Sequence, residues 1–496
     1  MTVAKETGSI EIKSLNTTEG ILPLDIKLSY GIGQAAEGLK NTAFGLLVLF
    51  YYNQVLEVSG TLCGLALGIA LLFDAVTDPL TGSLSDNWKS KWGRRHPFMY
   101  ASAIPLGFCF YFLFVPPELS EIGLFIWLTA FAVLTRAAMT LYHVPHIALG
   151  AELTSNFEER TVVVSFRQGF STIGNLASVA LAFLVFFVST EEFANGQLNQ
   201  AAYPPFAFTV AILMVITIWI SGIGTHRQIP LLPPGPAVPE KFSPGRVMRE
   251  AGQALSNSSF RWLFFGVVVV FLMVGVDAAL NLHMNTYFWE LKPAQIFQYV
   301  VALPVGVIFG TFVTRRLHAM WGKKAGVLLG TSGWAICQVV PVLLRLMDLF
   351  PENGSDTLLI TLIVFRFIQG FTVVQALVSF GSMVADLVDQ HELETGMRQE
   401  GIFFGAVSFA NKTTTGLGTL VGGVALDLIN WPTGTAIKSA ADVPPDTLFN
   451  LGLLFGPIVS GFAVVSVWCY SHYNLTREQH QDILNKLEAK REPNPT

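Results

Sequence analysis

The stretch LALGIALLFDAVTDPLTGSLSDNWKSKWGRRHP, residues 65–97, decides how the rest of the chain is interpreted. It begins as an apolar helix, carries two aspartates inside that helix, and ends in a basic turn. Asp74 and Asp78 are four residues apart, so their carboxylates share one helical face. Counted back from Asp86 at about 1.5 Å per residue, Asp78 lies roughly 12 Å and Asp74 roughly 18 Å into the apolar layer.

Two carboxylates at this depth are costly. A charge in the middle of a membrane helix costs about 2.5–3.5 kcal/mol on insertion scales. At ~6 Å separation and an effective dielectric constant near 20, the two charges also repel each other by roughly 3 kcal/mol. A positive group must therefore offset them, either a side chain from another helix or a bound cation.

The composition indicates an integral membrane protein. Of 496 residues, 52% are hydrophobic and only 13% are charged, whereas soluble domains carry about 25% charged residues. A large soluble α/β enzyme is thereby excluded. The net charge of −5 is spread along the chain without a cluster of Lys and Arg, so we expect no nucleic-acid partner.

Cysteines and the N-terminus add little chemistry. No two of the four cysteines form a C-x-x-C pair, and we expect all of them to be buried as small hydrophobic residues: Cys63, Cys109, Cys337 and Cys469. Residues 1–24 are polar and hold no apolar core of a signal peptide, so we expect the first membrane helix itself to direct insertion.

Apolar segments of about 20 residues, long enough to span a bilayer, recur twelve times. They are predicted near 25–52, 60–85, 98–115, 121–149, 162–189, 203–225, 259–290, 296–314, 325–346, 356–385, 401–427 and 448–471.

The charges between the spans predict the orientation. The connections after spans 2 and 8 are basic, carrying Lys89, Lys91, Arg94, Arg95, Arg315, Arg316, Lys323 and Lys324. The connections after spans 1, 3 and 5 carry only acids, such as Glu57, Glu118 and Glu191. Because positive loops stay in the cytoplasm, we predict that both tails, 1–24 and 473–496, are cytoplasmic.

The chain divides into two similar halves. A linker rich in Pro and basic residues, 226–258, separates six spans in 25–225 from six in 259–472. The turn Trp92-Gly93-Arg94-Arg95 is repeated 229 positions later as Trp321-Gly322-Lys323-Lys324, and the stretch from Glu152 is echoed about 234 positions later from Asp386. These echoes indicate an internal duplication. The predicted fold is therefore all-α, the major facilitator fold of twelve transmembrane helices, with a cargo site between the halves.

Polar side chains within the spans are candidates for function because burying them is costly. Besides the two aspartates they are Glu37, Lys40, Arg136, His143, Arg167, Asp277, His283, Arg366 and Lys412.

Several of these side chains allow two interpretations. Glu37 and Lys40 are three residues apart, so they neutralise each other or bind cargo. Arg136 and Arg366 are candidate structural partners of loop acids. His143 precedes Val144-Pro145, and a proline there frees backbone groups within a membrane helix; a cavity-lining histidine is favoured over a packed neutral one.

The segment GVDAALNLHMNTYFW makes span 7 unusually polar, because Asn281 and Asn285 accompany Asp277 and His283. A polar lining of the transport pathway is the favoured interpretation.

The motifs resemble one known family. In the first half the similar stretches are FDAVTDPLTGSLSD followed by WGRRHP, then VPHIALGAELTSNFEERT and SFRQGF. In the second half they are VADLVDQHELETGMRQEG and FANKTTTGLG. In these stretches the chain resembles the glycoside–pentoside–hexuronide:cation symporters, typified by the melibiose permease. The resemblance covers nearly the whole chain from about Lys27. Its most specific element is D-x-x-x-D-P in the second span with W-G-[KR]-[KR] behind it.

The resemblance implies roles for individual residues. Asp74 and Asp78 match the aspartates that bind the coupling cation, and Thr140 matches a hydroxyl that lines the cation site. Arg167 matches an arginine near the cargo site, and Lys412 matches a lysine that couples to the acidic pair. Lys412 also satisfies the independent requirement for a buried cation facing the two acids.

The sequence departs from the sugar permeases of that family at three positions. It has Gly38, with Glu37 beside it, and His143 where they carry aspartates, and Ile147 where they carry a tryptophan. The stretch YHVPHIAL also resembles the sodium-dependent lysolipid transporters. Cation coupling is therefore a firmer expectation than a sugar cargo.

Together these observations predict a cation-coupled symporter, with Na⁺ or H⁺ as coupling ion, that carries a sugar or glycoside by alternating access. The alternative within transport is a lysolipid or other amphiphile carrier. A sensor or an enzyme is disfavoured because the tails are short and no H-E-x-x-H or G-x-S-x-G motif is present. We expect a monomer in the plasma membrane, without a cofactor or resident metal.

Further roles complete the prediction. Cargo binding is expected from Glu37, Lys40, His143, Arg167, Asp277 and His283. Cytoplasmic ionic latches that hold an outward-open state are expected between the basic turns and nearby acids, namely Arg94, Arg95, Lys323 and Lys324 with Glu152, Glu158, Asp386 and Asp389.

Overall fold

The computed structural model describes residues 21–232, 252, 254–397, 399–434 and 436–491, and the regular structure within these ranges is entirely helical. The first half consists of α1 (Leu24–Thr42), α2 (Gly60–Asn87), α3 (His96–Leu113), α4 (Glu121–Glu152), α5 (Phe157–Ala180) and α6 (Tyr203–His226). Wider π-helical turns prolong α1 to Val55 and α5 to Phe186.

The second half repeats this arrangement. It consists of α7 (Ser258–His283), α8 and α9 (the two arms of Pro293–Leu346, before and after Gly322), α10 (Asp356–Thr395), α11 (Glu400–Leu428) and α12 (Pro445–Leu453, continuing to Ser471). A further helix, α13 (Arg477–Arg491), follows the last span and packs against the end of α10.

The helices account for twelve membrane crossings. Within the described residues, eight helices are long and apolar enough to cross a bilayer. One of them, Pro293–Leu346, makes two crossings because its backbone leaves the helical conformation at Gly322. The helices that begin at Leu24, His96 and Glu400 supply the other three.

The outer surface is apolar. Large hydrophobic side chains project outward from the helices, including Phe312 at 81% exposure and Val464 at 71%. A soluble monomer does not expose apolar surface on this scale, so lipid must cover it. The chain is therefore a multi-pass membrane protein.

Side-chain caps determine where several helices begin. Ser120 accepts a hydrogen bond from the Gly123 amide at 3.3 Å and starts α4, and Asn257 accepts one from the Phe260 amide at 2.9 Å and starts α7. Asn156 and Ser355 do the same for α5 and α10. Each cap satisfies an amide that has no partner within the helix.

The predicted duplication is visible in the backbone. Gly93 and Gly322, which occupy equivalent places in the two Trp-Gly turns, both have left-handed φ angles, 72° and 79°. Only glycine adopts this conformation without strain. The two turns thus share a Trp-Gly sequence and a positive φ at the glycine, as a duplication would produce.

The halves meet most closely along α2 and α11. A Cβ atom added to Gly423 would lie 2.0 Å from the Gly60 carbonyl oxygen, and one added to Gly64 would lie 2.8 Å from the Leu420 Cα. We name the end of the molecule at Gly60 and Gly423 the distal end, and the end that carries the two Trp-Gly turns the basic end. Small residues thus let the two backbones touch at the distal end.

Parts of three predicted segments lie outside the described residues. They are residues 1–20 of the N-terminal tail, residues 233–251 and 253 of the linker, and residues 492–496 of the C-terminal tail.

Candidate transport site

Asp74 forms a buried ion pair with an arginine of its own half. The Arg136 Nη1 donates to the Asp74 Oδ2 at 2.6 Å, and the two side chains are only 12% and 8% exposed. The guanidinium also lies over the Phe44 ring, 5.0 Å from its centroid. Arg136 thus pairs with a membrane-buried acid, which corrects the interpretation that its partner is a loop acid.

Asp78 is shared between the two halves. Its Oδ1 accepts a hydrogen bond from the Thr140 Oγ1 at 2.8 Å, and its Oδ2 contacts the Lys412 Nζ from α11. This pair is more accessible than the first, with side-chain exposures of 24% for Asp78 and 30% for Lys412. The structure thus brings together the acid, the hydroxyl and the lysine that the sequence singled out.

The remaining polar groups of the first half lie around these pairs. The His143 Nε2 and the Glu37 Oε1 are 3.5 Å apart, and Gln34 donates to the same glutamate. Lys40 is buried and lies 5.9 Å from the centroid of the Phe44 ring. Its charged neighbours are Arg136, Asp74, Glu37 and Lys412. Glu37 and Lys40 thus share one electrostatic cluster with both aspartates.

Arg167 of α5 lies at the edge of this cluster. It hydrogen-bonds with Tyr30 and interacts electrostatically with His143. Its predicted place near the cargo site stays a prediction.

A second polar cluster belongs to α7, α9 and α10. The Gln338 Nε2 donates to the Asp277 Oδ1 at 2.8 Å, and the Gln369 Nε2 donates to the Gln338 Oε1 at 2.9 Å. The Arg366 Nη1 in turn donates to the Gln369 Oε1 at 2.6 Å. Arg366 therefore belongs to a membrane-buried network, and its interpretation as a partner of loop acids is also corrected.

A central cavity of about 360 Å³ lies between the halves. Its polar lining comes from both halves: Thr42, Thr172 and Asn175 on one side, and Asp277, Asn281 and Arg366 on the other. Leucines, valines and Pro304 supply the apolar remainder. A mixed polar and apolar cleft at this place can hold a small molecule.

The distal end of the cleft is closed by hydrogen bonds between the halves. The Trp431 Nε1 donates to the Gln54 Oε1 at 2.8 Å, and the Gly434 amide donates to the Gln54 carbonyl at 3.0 Å. The His283 ring nitrogen lies 3.2 Å from the Asn53 Oδ1 and packs against Trp431. His283 thus belongs to the distal closure, and the central cavity lies elsewhere, contrary to its predicted place among the cargo-binding residues.

Asp427 forms a clasp at the same end. Its carboxylate accepts hydrogen bonds from the Ser59 hydroxyl at 2.6 Å and from the Gly60 and Thr61 amides, each at 2.8 Å. These amides belong to the first turn of α2, where unpaired N–H groups and the helix dipole favour an anion. An acid at the end of α11 thus caps a helix of the opposite half.

At the basic end, the predicted ionic partners meet within each half. Arg94 and Arg95 bind Glu152 at 2.9 and 2.7 Å, and Arg95 also contacts Asp86. Lys323 binds Asp386 at 2.7 Å. These equivalent pairs fasten each turn to its own half.

Other predicted latch residues have different neighbours. The Lys324 Nζ donates to the carbonyls of Ser471 and Tyr473, and His480 of α13 lies 3.1 Å from the Asp389 Oδ2. Glu158 is exposed in the first turn of α5.

Sequence reasoning missed four polar residues of this architecture. Gln338 and Gln369 lie within predicted spans, so the rule that singled out Asp277 could also have found them. Gln54 and Asp427 lie at span ends, where polar residues are common, and the sequence carries no signal that they join the halves.

The acids and the hydroxyl around Asp78 are the groups of this site that could hold a cation. No group of three or more His, Cys, Asp or Glu able to hold a metal is found within the described ranges. Two carboxylates and one hydroxyl offer hard oxygen ligands, which suit Na⁺, or acceptors for a proton.

Comparison with known proteins agrees with this architecture. Residues 29–477 match the family described as MFS/sugar transport protein. An uncharacterized symporter of Synechocystis is 25% identical over 94% of this chain and 97% of its own. An Escherichia coli protein with the name "Putative glycoside/cation symporter" is 24% identical over 88% of each chain.

A solved structure shares the fold. The crystal structure of a mutant of the nucleoside transporter NupG superposes with a TM-score of 0.63 at 12% identity, over 91% of this chain and 99% of that one. The family match covers most of the chain, and the twelve helices, the two halves and the cleft between them fit it. The protein is thus a membrane transporter and not an enzyme, and it belongs to the MFS/sugar transport protein family.

Proposed function

We propose that this protein carries a sugar or glycoside across the plasma membrane, coupled to the movement of Na⁺ or H⁺ in the same direction. The observation that carries the proposal is the Asp78 carboxylate, which contacts Thr140 of its own half and Lys412 of the other. A single acid on the boundary between the halves can link ion binding to their relative movement. The similarity to proteins named symporters supports the coupling.

The proposed cycle depends on competition for Asp78. A cation or proton that neutralises Asp78 displaces Lys412, because one carboxylate cannot satisfy both positive charges in a low-dielectric site. The halves then lose a buried acid–base contact between α2 and α11, and the balance between the two orientations of the cleft changes. Cargo that binds more tightly in the presence of the cation must in turn favour cation binding, by reciprocal linkage.

Cargo binding is proposed for the polar groups beside and within the cleft. Glu37, Lys40, His143 and Arg167 interact with one another and with Asp74 beside the cation site. Asp277 lies on the second-half wall of the cavity. Arg136 holds Asp74 in place, so the acid closest to the exchangeable site keeps a fixed orientation.

The basic end is proposed to face the cytoplasm, by the positive-inside rule. With the distal end closed, the cleft then corresponds to a carrier that is shut toward the outside. We propose that the basic turns and their acids act as ionic latches when the basic ends of the two halves approach each other in the outward-open state.

Counterflow in proteoliposomes tests the proposal. Purified protein is reconstituted as a monomer into liposomes. The proteoliposomes are loaded with D-xylose, D-glucose, methyl β-D-galactopyranoside, melibiose or lysophosphatidylcholine, with and without Na⁺ and at two pH values. We expect exchange of at least one sugar or glycoside, stimulated by Na⁺ or by acid. Exchange of the lysolipid alone would instead identify an amphiphile carrier.

A further inference from the structure

The charges on the wall of the central cavity belong to the second half. Thr42, Thr172 and Asn175 form the polar part of the first-half wall, whereas Asp277 and Arg366 face them from α7 and α10. The first-half acids Asp74 and Asp78 are already engaged with Arg136, Thr140 and Lys412. Among the described residues that line the cavity, the carboxylate is that of Asp277.

A relay of two glutamines holds Asp277 and Arg366 in fixed positions. The Gln338 side chain donates to Asp277 and accepts from Gln369, which in turn accepts from Arg366. Arg366 also lies over the Tyr299 ring, 5.1 Å from its centroid. Side chains locked in this way are preorganised, which is expected of a binding site.

The relay leaves specific polar atoms unused. It occupies the Oδ1 of Asp277, and the second carboxylate oxygen accepts none of the hydrogen bonds found among the described residues. Arg366 is only 8% exposed, yet its Nε has no hydrogen-bond partner among the described residues. A buried donor without a partner is costly, so a movement that brings a hydrogen-bond acceptor to this atom would be favourable.

The two groups together favour a particular ligand chemistry. A carboxylate accepts hydrogen bonds and a guanidinium donates them, and the pair carries no net charge. Neighbouring hydroxyl groups can do both at once, since each donates to the carboxylate or accepts from the guanidinium. Because the pair has no net charge, it offers no net attraction to an anionic ligand, and an acyl chain would leave both charges buried without partners.

We propose that Asp277 and Arg366 form a second-half subsite of the central cavity that binds two neighbouring hydroxyl groups of a neutral, polyhydroxylated cargo. This inference rests on the proposed function and specifies it. The cation site lies in the first half and on its boundary, so this subsite adds second-half contacts to the first-half residues proposed for cargo binding.

Matched variants test the subsite. Asp277→Asn retains the size of the side chain and its acceptor oxygen for Gln338, and Arg366→Lys retains the charge but loses the fork of donors. The control is Asp482→Asn on α13, whose side chain is 60% exposed and pairs with Lys486 of the same helix. Thermal unfolding midpoints of all variants are compared with wild type. If Arg366→Lys unfolds at the wild-type midpoint, its effect on transport comes from binding and not from folding.

The readout is proteoliposome counterflow of D-xylose, D-glucose, methyl β-D-galactopyranoside, melibiose and D-glucuronate. For the best neutral probe we expect the KM to rise by about tenfold in each site variant, as for the loss of one hydrogen bond to a charged group. The maximal rate, the factor of cation stimulation and the control variant should stay near wild type. Deoxy analogues of that probe should lose affinity in wild type but little more in Asp277→Asn.

Two results would overturn the subsite while leaving sugar transport intact: an unchanged KM in both variants, or exchange of D-glucuronate in preference to every neutral probe. Exchange of lysophosphatidylcholine with no exchange of any sugar would instead refute the proposed function and the subsite together.

Discussion

The two buried acids of α2 differ in their surroundings, although they lie one helical turn apart. Asp74 is paired with Arg136 inside one half, and both side chains are nearly inaccessible. Asp78 faces the opposite half, and about a quarter of its side chain is exposed. An exchangeable ion reaches Asp78 more readily, so we assign the fixed role to Asp74 and the variable role to Asp78.

Substituting Asp78 tests this assignment. Asp78→Asn keeps the shape and the Thr140 contact but removes the charge that attracts Lys412 or a cation. We expect cation-driven accumulation to fall by about tenfold or more, while the purified variant keeps its thermal unfolding midpoint within a few degrees. The measurement is sugar uptake into proteoliposomes under an imposed Na⁺ or pH gradient, with Asp482→Asn as control. Undiminished accumulation in Asp78→Asn would contradict the role of this carboxylate.

Removing Arg136 tests the fixed role of its partner. Arg136→Met leaves Asp74 charged and buried, which costs about 3–5 kcal/mol when one member of a buried pair is lost. The double variant Arg136→Met/Asp74→Leu removes both charges, so we expect it to regain most of the lost stability. Thermal unfolding of the purified proteins measures this. A double variant as unstable as Arg136→Met would show that Arg136 stabilises the protein through other contacts.

Sequence reasoning identified the buried charged residues but paired only some of them. It placed Lys412 opposite the aspartates, and the structure brings Lys412 to Asp78. It missed the Arg136–Asp74 pair, because the partner of a buried charge depends on how each helix is rotated about its axis. The span positions of Arg136, Lys40 and Lys412 alone do not contain that information.

At the scale of helices, the contact between α2 and α11 combines small residues with a charged cap. The glycines allow backbone contact at the distal end, and Asp427 binds the first turn of α2. Toward the basic end the two helices are less closely packed, since a Cβ atom added to Gly68 would lie 3.4 Å from the Gly416 carbonyl oxygen. The pair therefore closes at one end only.

Two glycine substitutions on α11 separate these regions. Gly423→Ala places a methyl group against the Gly60 backbone, which cannot move aside, so we expect the distal ends to separate. Gly405→Ala, with open space around it, is the matched control. Spin labels on the exposed distal loops, at Glu118 and Glu352, report the distance between the two halves by double electron–electron resonance. We expect longer distances in Gly423→Ala only; equal distributions in the two variants would argue against steric control of the closure.

The helices themselves were largely predictable, because each span is a long apolar segment. The predicted 60–85, for example, corresponds to Gly60–Asn87. The largest error is α10, predicted to end at 385 but continuing to Thr395, where Gly396 terminates it in a left-handed conformation with φ of 73°. Hydropathy detects the part of a helix that crosses lipid, and the last turns of α10 carry polar residues that form ion pairs beyond it.

For the molecule as a whole, the sequence predicted two halves with a cleft but not the orientation of that cleft. The contacts that close the distal end, such as Gln54 with Trp431, involve polar residues at span ends. A carrier must form such contacts in one state and break them in another, so their strength is small and leaves little trace in composition or periodicity.

The orientation of the molecule in the membrane can be tested with single cysteines in a chain whose four native cysteines are replaced. Glu352→Cys lies on a distal loop and Lys91→Cys lies in a basic turn, and both positions are exposed. Because positive loops stay inside, we expect a membrane-impermeant maleimide to label Glu352→Cys in intact cells and Lys91→Cys only after permeabilisation. The reverse pattern would invert the assignment of the two ends.

The contact between Asp78 and Lys412 has a consequence for energy conservation. In the proposed cycle, Asp78 accepts either the tethered lysine or a free ion, so the unloaded protein can return to its starting orientation without carrying an ion. A weaker contact between Lys412 and Asp78 would then let the transporter carry ions without cargo, and this slow leak would dissipate the ion gradient. The tightness of coupling between ion and cargo would then depend on the Lys412 amine.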